Sequence, residues 1–71
     1  MERDTVTAVR LGERIRGVRE ARGLVVDRVA ERLGVQPDEL ARWEAGQIIP
    51  PMVALLELAE VLECTYDDLV R

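Results

Sequence analysis

The sequence predicts an all-α fold, a compact bundle of five short helices. Three observations support it. Apolar residues recur at helical spacing, no segment shows the strict apolar–polar alternation of a half-buried strand, and glycines punctuate the chain about every eleven residues.

The first helix is expected from about Ala8 to Arg22. Thr7 is its candidate N-cap, Leu11, Ile15 and Val18 form its apolar seam, and Gly23 is a natural stop. Residues 1–7 then read as an N-terminal arm and 8–71 as the domain. A second helix is expected over Val26–Leu33, with Val29, Ala30 and Leu33 inward and Gly34 ending it. Gln36 caps a third, with Pro37 at the first position, where a missing N–H costs nothing; Leu40 and Trp43 face inward and Gly46 closes it. "QIIPP" is a loop. Pro51 opens a fourth helix, with Met52, Leu55, Leu56, Ala59 and Leu62 as its apolar stripe and Glu57, Glu60 and Glu63 on its wet side. Thr65 followed by Asp68 has the form of a capping box opening a last turn, Tyr66 to Val70.

Composition narrows the function classes. The chain has 71 residues, 48% hydrophobic and 34% charged, with no Phe and one Trp, so one small core must be filled by aliphatic side chains. It contains no His, Ser, Asn or Lys. A Ser–His triad and a His-containing metal site are therefore impossible, and no catalytic residues, metal or cofactor are expected. Cys64 is single and at apolar spacing, which reads as a small core residue; the lack of bridges in so short a chain points to a reducing, cytoplasmic setting. No signal-peptide block opens the sequence, and the longest apolar run, around "IIPPMVALL", is too short to span a bilayer. The net charge of −4 argues at first against nucleic acid. Its distribution is more informative: residues 1–32 hold eight Arg against six acids (+2), and residues 33–71 hold two Arg against eight acids (−6).

The stretch "REARGLVVDRVAERLGVQPDELARWEAGQIIP" gives these elements a more specific reading. Arg19, Gly23-Leu24, Ala30, "LGV" at 33–35, Trp43-Glu44 with Gly46, Pro50 and the closing "LAEVLECTYDDL" stand in register. In these features the chain, from about Leu11 to Val70, resembles the Xre/Cro/phage-repressor helix-turn-helix family. The local chemistry agrees: Ala30 is small where a third helix crosses close above the second, and Gly34 supplies the turn between them. The resemblance implies a lambda-repressor-like DNA-binding domain in which Arg19 pairs with Glu44 to tie the first helix to the end of the third. It further implies a third helix in the major groove of double-stranded DNA, phosphate contacts from the start of the second helix and the loop after the third, and a homodimer on a two-fold operator.

The positions matching those roles fit unevenly. Gln36 could reach adenine or a phosphate, and Arg42 could read guanine through its two-pronged donor. Asp38 and Glu39 could accept from cytosine N4. Equally, Pro37-Asp38-Glu39 makes a good first helical turn, because acids suit the positive end of the helix dipole. Gln47 is a candidate phosphate donor, and Arg28 on the second helix could add positive charge. Arg10, Arg14, Arg16 and Arg22 read either as further positive charge or as solvated helix faces in register with nearby acids. Val25, Val26, Ile48 and Ile49 are apolar where the family is usually polar. They define an alternative: a helix-turn-helix fold with a degenerate DNA face, docking another protein through an apolar patch. Dimer contacts are expected from the fourth helix and the last turn, around Tyr66, Leu69 and Val70. An enzyme is not expected.

Overall fold

A computed structural model describes residues 2–71, with side chains from Thr7 onward. Five helices follow one another: α1 (Glu2–Ala21), α2 (Val26–Leu33), α3 (Pro37–Glu44), α4 (Met52–Val61) and α5 (Tyr66–Val70). No strand occurs among the described residues. The long α1 packs across α3 and α5, α2 sits against α3 and α4, and α4 against α5, in a body of 34 × 23 × 21 Å.

One core joins all five helices. Ile15 from α1, Val29 and Ala30 from α2, Leu40 from α3, Leu58 from α4 and Leu69 from α5 have no exposed surface, and Trp43 and Leu62 complete the centre. Removing such side chains from water contributes about 1.5–3 kcal/mol each for the larger aliphatics. Trp43 therefore works as core, as its spacing predicts.

Helix ends follow the glycines. At Gly34 (φ 75°) the chain turns left-handed, and the Val35 N–H donates to the Ala30 carbonyl at 3.0 Å. At Gly46 (φ 76°) the Gln47 N–H donates to the Arg42 carbonyl at 3.0 Å in the same way. This six-to-one bond satisfies carbonyls that a helix end leaves unpaired. The end of α4 takes the same form without a glycine: Glu63 has φ 57°, and the Cys64 N–H reaches the Ala59 carbonyl at 2.9 Å. Arg22, in the turn after α1, supports that helix end, its Nε donating to the Leu62 carbonyl (2.8 Å) and its terminal nitrogen to the Glu63 carbonyl (2.7 Å). Arg14 does the same for α5, donating to the carbonyls of Asp68 (3.2 Å) and Arg71 (2.7 Å). A cation at a helix C-terminus also meets the negative end of the dipole. These two arginines are thus occupied at helix ends, not simply solvated.

The capping box at α5 is present in full. Thr65 Oγ1 accepts from the Asp68 N–H at 3.1 Å, and the Asp68 carboxylate accepts from the Thr65 N–H at 3.0 Å. The bond from the Thr65 backbone, then that with its side chain, hold the Asp68 carboxyl below its ordinary pKa. A folded-state pKa below the unfolded value contributes stability above the unfolded pKa, ~3.9 for Asp, and that contribution is lost as pH falls through the folded value. Asp68→Ala, which removes the carboxylate that accepts from the Thr65 N–H, is accordingly expected to lower stability at neutral pH. Urea denaturation of both proteins should show the difference shrinking below pH ~4; a pH-independent difference would refute this account.

Three local expectations need correction. First, α1 extends back to Glu2, so Thr7 lies inside the helix and does not cap it. The arm expected over residues 1–7 involves side chains outside the described residues. Second, Gln36 stands at the N-cap position of α3 but its side chain makes no capping bond. Third, the buried stripe of α4 is Ala54, Leu55, Leu58, Ala59 and Leu62, whereas Met52 and Leu56 are exposed. In "MVALLELAEV" the first turn and a half is apolar all round, so hydrophobicity alone does not fix which arc turns inward. Contact with α2 and α5 decides it.

Candidate nucleic-acid interface

The α2–turn–α3 unit presents α3 at the surface. Leu40 and Trp43 anchor its inner side in the core, while Gln36, Pro37, Asp38, Glu39, Ala41 and Arg42 are all exposed. Helical spacing puts Arg42 one turn from Asp38 and Glu39. Among the described residues Arg42 makes no ion pair with either, so its guanidinium faces solvent. The carboxylates lie at the positive end of the α3 dipole and Arg42 near its negative end, the arrangement that stabilises an isolated helix.

The far end of α3 is fixed to α1. Arg19 Nε donates to Glu44 Oε2 at 2.7 Å and its terminal nitrogen to Oε1 at 3.0 Å, a two-pronged pair; its other nitrogen donates to the Leu24 carbonyl at 2.8 Å. The two side chains are only 11% and 7% exposed. The Glu44 hydrogen bond raises the Arg19 pKa above its ordinary value, against the opposing effect of burial. Beside this pair α1 touches the α3 backbone directly. A Cβ on Gly12 would lie 2.5 Å from the carbonyl oxygens of both Trp43 and Glu44, and one on Gly46 would lie 2.8 Å from the Cα of Val9. Neither close approach is visible in the pattern of apolar residues. Gly12 sits in the middle of a strong helix where alanine would otherwise be preferred, and that misfit is the one sequence signal that points to it.

The other candidate residues fall into two groups. Arg28 and Gln47 are exposed, on α2 and in the loop after α3. Val25 is the N-cap of α2 and provides no side-chain cap, so the first N–H groups of that helix have no side-chain partner there. Of the apolar rim, Val25, Ile48 and Ile49 are about half exposed or more, whereas Val26 packs partly against the core. At the chain's end Val70 is exposed and Tyr66 half-buried. Leu69 is fully buried, which corrects its placement in a dimer surface: it is the core residue that pins α5. Sequence reasoning missed the exposed side of α4, where Met52, Val53 and Leu56 stand in solvent. Spacing alone puts Met52 and Leu56 in the inward stripe, because the helix is apolar on both sides.

Cys64 is half-buried against the core, as its spacing predicts, and burial raises its thiol pKa. Among the described residues no helix is long and apolar enough to cross a membrane, and no cluster of acidic or thiol side chains could hold a metal ion.

Comparison with known proteins places this geometry. A family model described as a helix-turn-helix domain matches residues 10–71. The restriction-modification controller protein C.AhdI of Aeromonas hydrophila is 30% identical, with 90% of this chain and 97% of that one aligned at a TM-score of 0.86. A transcriptional regulator of the HTH_3 family from Vibrio cholerae is 26% identical at a TM-score of 0.85; the match covers 93% of this chain but 37% of that one. No curated protein matches the sequence.

Proposed function

The chain belongs to the helix-turn-helix domain family, of the Xre/Cro type, and from that premise we propose that it is a DNA-binding transcriptional regulator whose α3 enters the major groove. The observation that carries this reading is the division of α3 into two faces. One is locked by Leu40, Trp43 and the Glu44–Arg19 pair, and the other, with Gln36 and Arg42, is wholly exposed. A rigidly held helix with a free side is what base readout requires. The similarity to a controller protein of nearly the same span supports the regulatory sense. A homodimer would set two such helices on a two-fold operator, with α4 and, in the last turn, Tyr66 and Val70 as contacts.

In this reading Arg42 reads a base, and Gln36, Gln47 and Arg28 meet phosphates or base edges. Asp38 and Glu39 serve the start of the helix and either accept from cytosine or keep clear of the backbone. The phosphate clamps are sparse because Val25, Ile48 and Ile49 replace polar groups. Affinity should therefore be modest and its salt dependence shallow, because the slope follows the number of phosphates neutralised. The test is a titration at low salt against duplexes from the protein's own promoter region. Arg42→Ala is expected to cost about 1–3 kcal/mol on the specific site and to relax discrimination at one base pair. No binding at low salt, or unchanged specificity in the variant, would overturn the proposal.

One observation favours a second reading. The exposed apolar residues Val25, Ile48 and Ile49 stand where a DNA face is ordinarily polar, and such a surface suits a protein partner.

A further inference from the structure

Arg10, Leu11 and Arg14 stand at helical spacing along one side of α1. Between them and Leu69, Val70 and Arg71, at the end of α5, lies a cavity of about 150 Å³ that opens to solvent. A cavity of roughly that volume can admit a benzene molecule. Its floor is apolar, with Leu11 nearly buried and Leu69 fully so. Its rim is cationic and carries three of the ten arginines of the chain. None of the three forms an ion pair among the described residues. Arg14 is tied to the carbonyls of Asp68 and Arg71. The side chains of Arg10 and Arg71 are exposed and have no hydrogen-bond partner among the described residues. The neighbouring acid, Asp68, already accepts from the Thr65 N–H. In a chain of net charge −4, the charge left unanswered at this cavity is positive.

We propose that this cavity between α1 and α5 binds a small organic monocarboxylate whose apolar body is about the size of a benzene ring. The body would lie on Leu11 and Leu69, and Arg10 and Arg71 would meet the carboxylate from the rim. A guanidinium offers two parallel donors matched to a carboxylate, and the charge on both sides makes those hydrogen bonds stronger than neutral ones. Arg14 adds positive charge from a fixed position, since its two carbonyl bonds order it before any ligand arrives. The combination is selective in two directions. A fully hydrated anion such as inorganic phosphate gains nothing from the apolar floor, and a neutral molecule of the same shape gains nothing from the arginines. None of these residues lies on the exposed side of α3, so the inference does not rest on the DNA reading.

The probe is benzoate, titrated calorimetrically against the full chain beside benzamide and inorganic phosphate. Benzoate is expected to bind at least about tenfold more tightly than either. It should also raise the melting temperature progressively once its concentration exceeds Kd. Arg10→Gln alters an exposed side chain with no described partner, so it should keep the melting temperature of the free protein while weakening benzoate about tenfold. Arg10→Gln with Arg71→Gln should remove the preference for benzoate over benzamide. Equal binding of benzoate and benzamide, phosphate bound as tightly as benzoate, or affinity indifferent to Arg10→Gln overturns the proposal. Affinity that falls as protein concentration rises also overturns it, because self-association then covers the cavity at Val70. So does a loss of duplex affinity in Arg10→Gln without benzoate, because Arg10 then serves a DNA phosphate. The benzoate titration contains no DNA, so its failure is distinguishable from failure of the DNA reading.

Discussion

Gly12→Ala is expected to destabilise the protein by about 3 kcal/mol, while Gly17→Ala in the same helix stabilises it by about 0.5–1 kcal/mol. Both positions lie inside α1, where alanine is the better helix former. What separates them is the other side of the residue. At Gly17 a new methyl meets nothing within 4 Å, whereas at Gly12 it falls 2.5 Å from two carbonyl oxygens at the end of α3. Those oxygens belong to backbone, so the strain can be relieved only by moving α1 off α3. That movement would loosen the Arg19–Glu44 pair and the Trp43 packing together. For a domain of this size each kcal/mol is worth roughly 4–8 °C in melting temperature. The two variants should therefore move in opposite directions by calorimetry, Gly12→Ala downward by roughly 12–24 °C. A Gly12→Ala protein as stable as its parent would show that the helices do not approach as closely as the structure has them.

Glu44→Ala is the second change with a large expected effect, at about 3–5 kcal/mol. It leaves the Arg19 guanidinium nearly buried, with the Leu24 carbonyl and, at 3.9 Å, the exposed Glu20 carboxylate as its remaining partners. An uncompensated charge away from water costs more than the pair contributes, so the two residues should be strongly coupled. Arg19→Met is expected to cost a similar amount, and the double variant Arg19→Met with Glu44→Leu much less than the sum, since neither charge is then stranded. Urea denaturation of the four proteins gives the coupling directly. Single-variant losses below about 1 kcal/mol, the range of exposed ion pairs, would contradict the buried geometry. Because Glu44 sits at the C-terminal end of α3, the same substitution should loosen the exposed helix that carries Arg42, which a lowered DNA affinity in the folded fraction would report.

Some of this is readable from residues alone. The limits of α2, α3 and α5 follow from local chemistry: Gly34 and Gly46 at left-handed turns, Pro37 at a first helical position, and Thr65 with Asp68 as a reciprocal cap. Leu40, Trp43, Val29 and Ala30 were legible as core because polar neighbours mark the opposite face. The inner face of α4 was not, since a helix apolar on nearly every side has no polar face to orient it. Leu69 was misplaced for a related reason: five residues are too few for periodicity to distinguish a core anchor from an exposed contact.

The candidate site divides along the same line. Gln36, Asp38, Glu39 and Arg42 share the free side of α3, as their spacing predicts, but availability is a tertiary property. Arg42 is unpaired among the described residues, whereas Arg14 and Arg22, equally basic in sequence, are bound to the carbonyls at the ends of α5 and α4. That the chain is a five-helix bundle, and where most of its helices stop, is written in local residues, because those features depend on neighbours within a turn or two. Which side of α4 faces water, which arginines remain free, and why residue 12 must lack a side chain are settled by packing between helices. Each of those depends on contacts between residues far apart in the chain, and a local pattern carries no record of them.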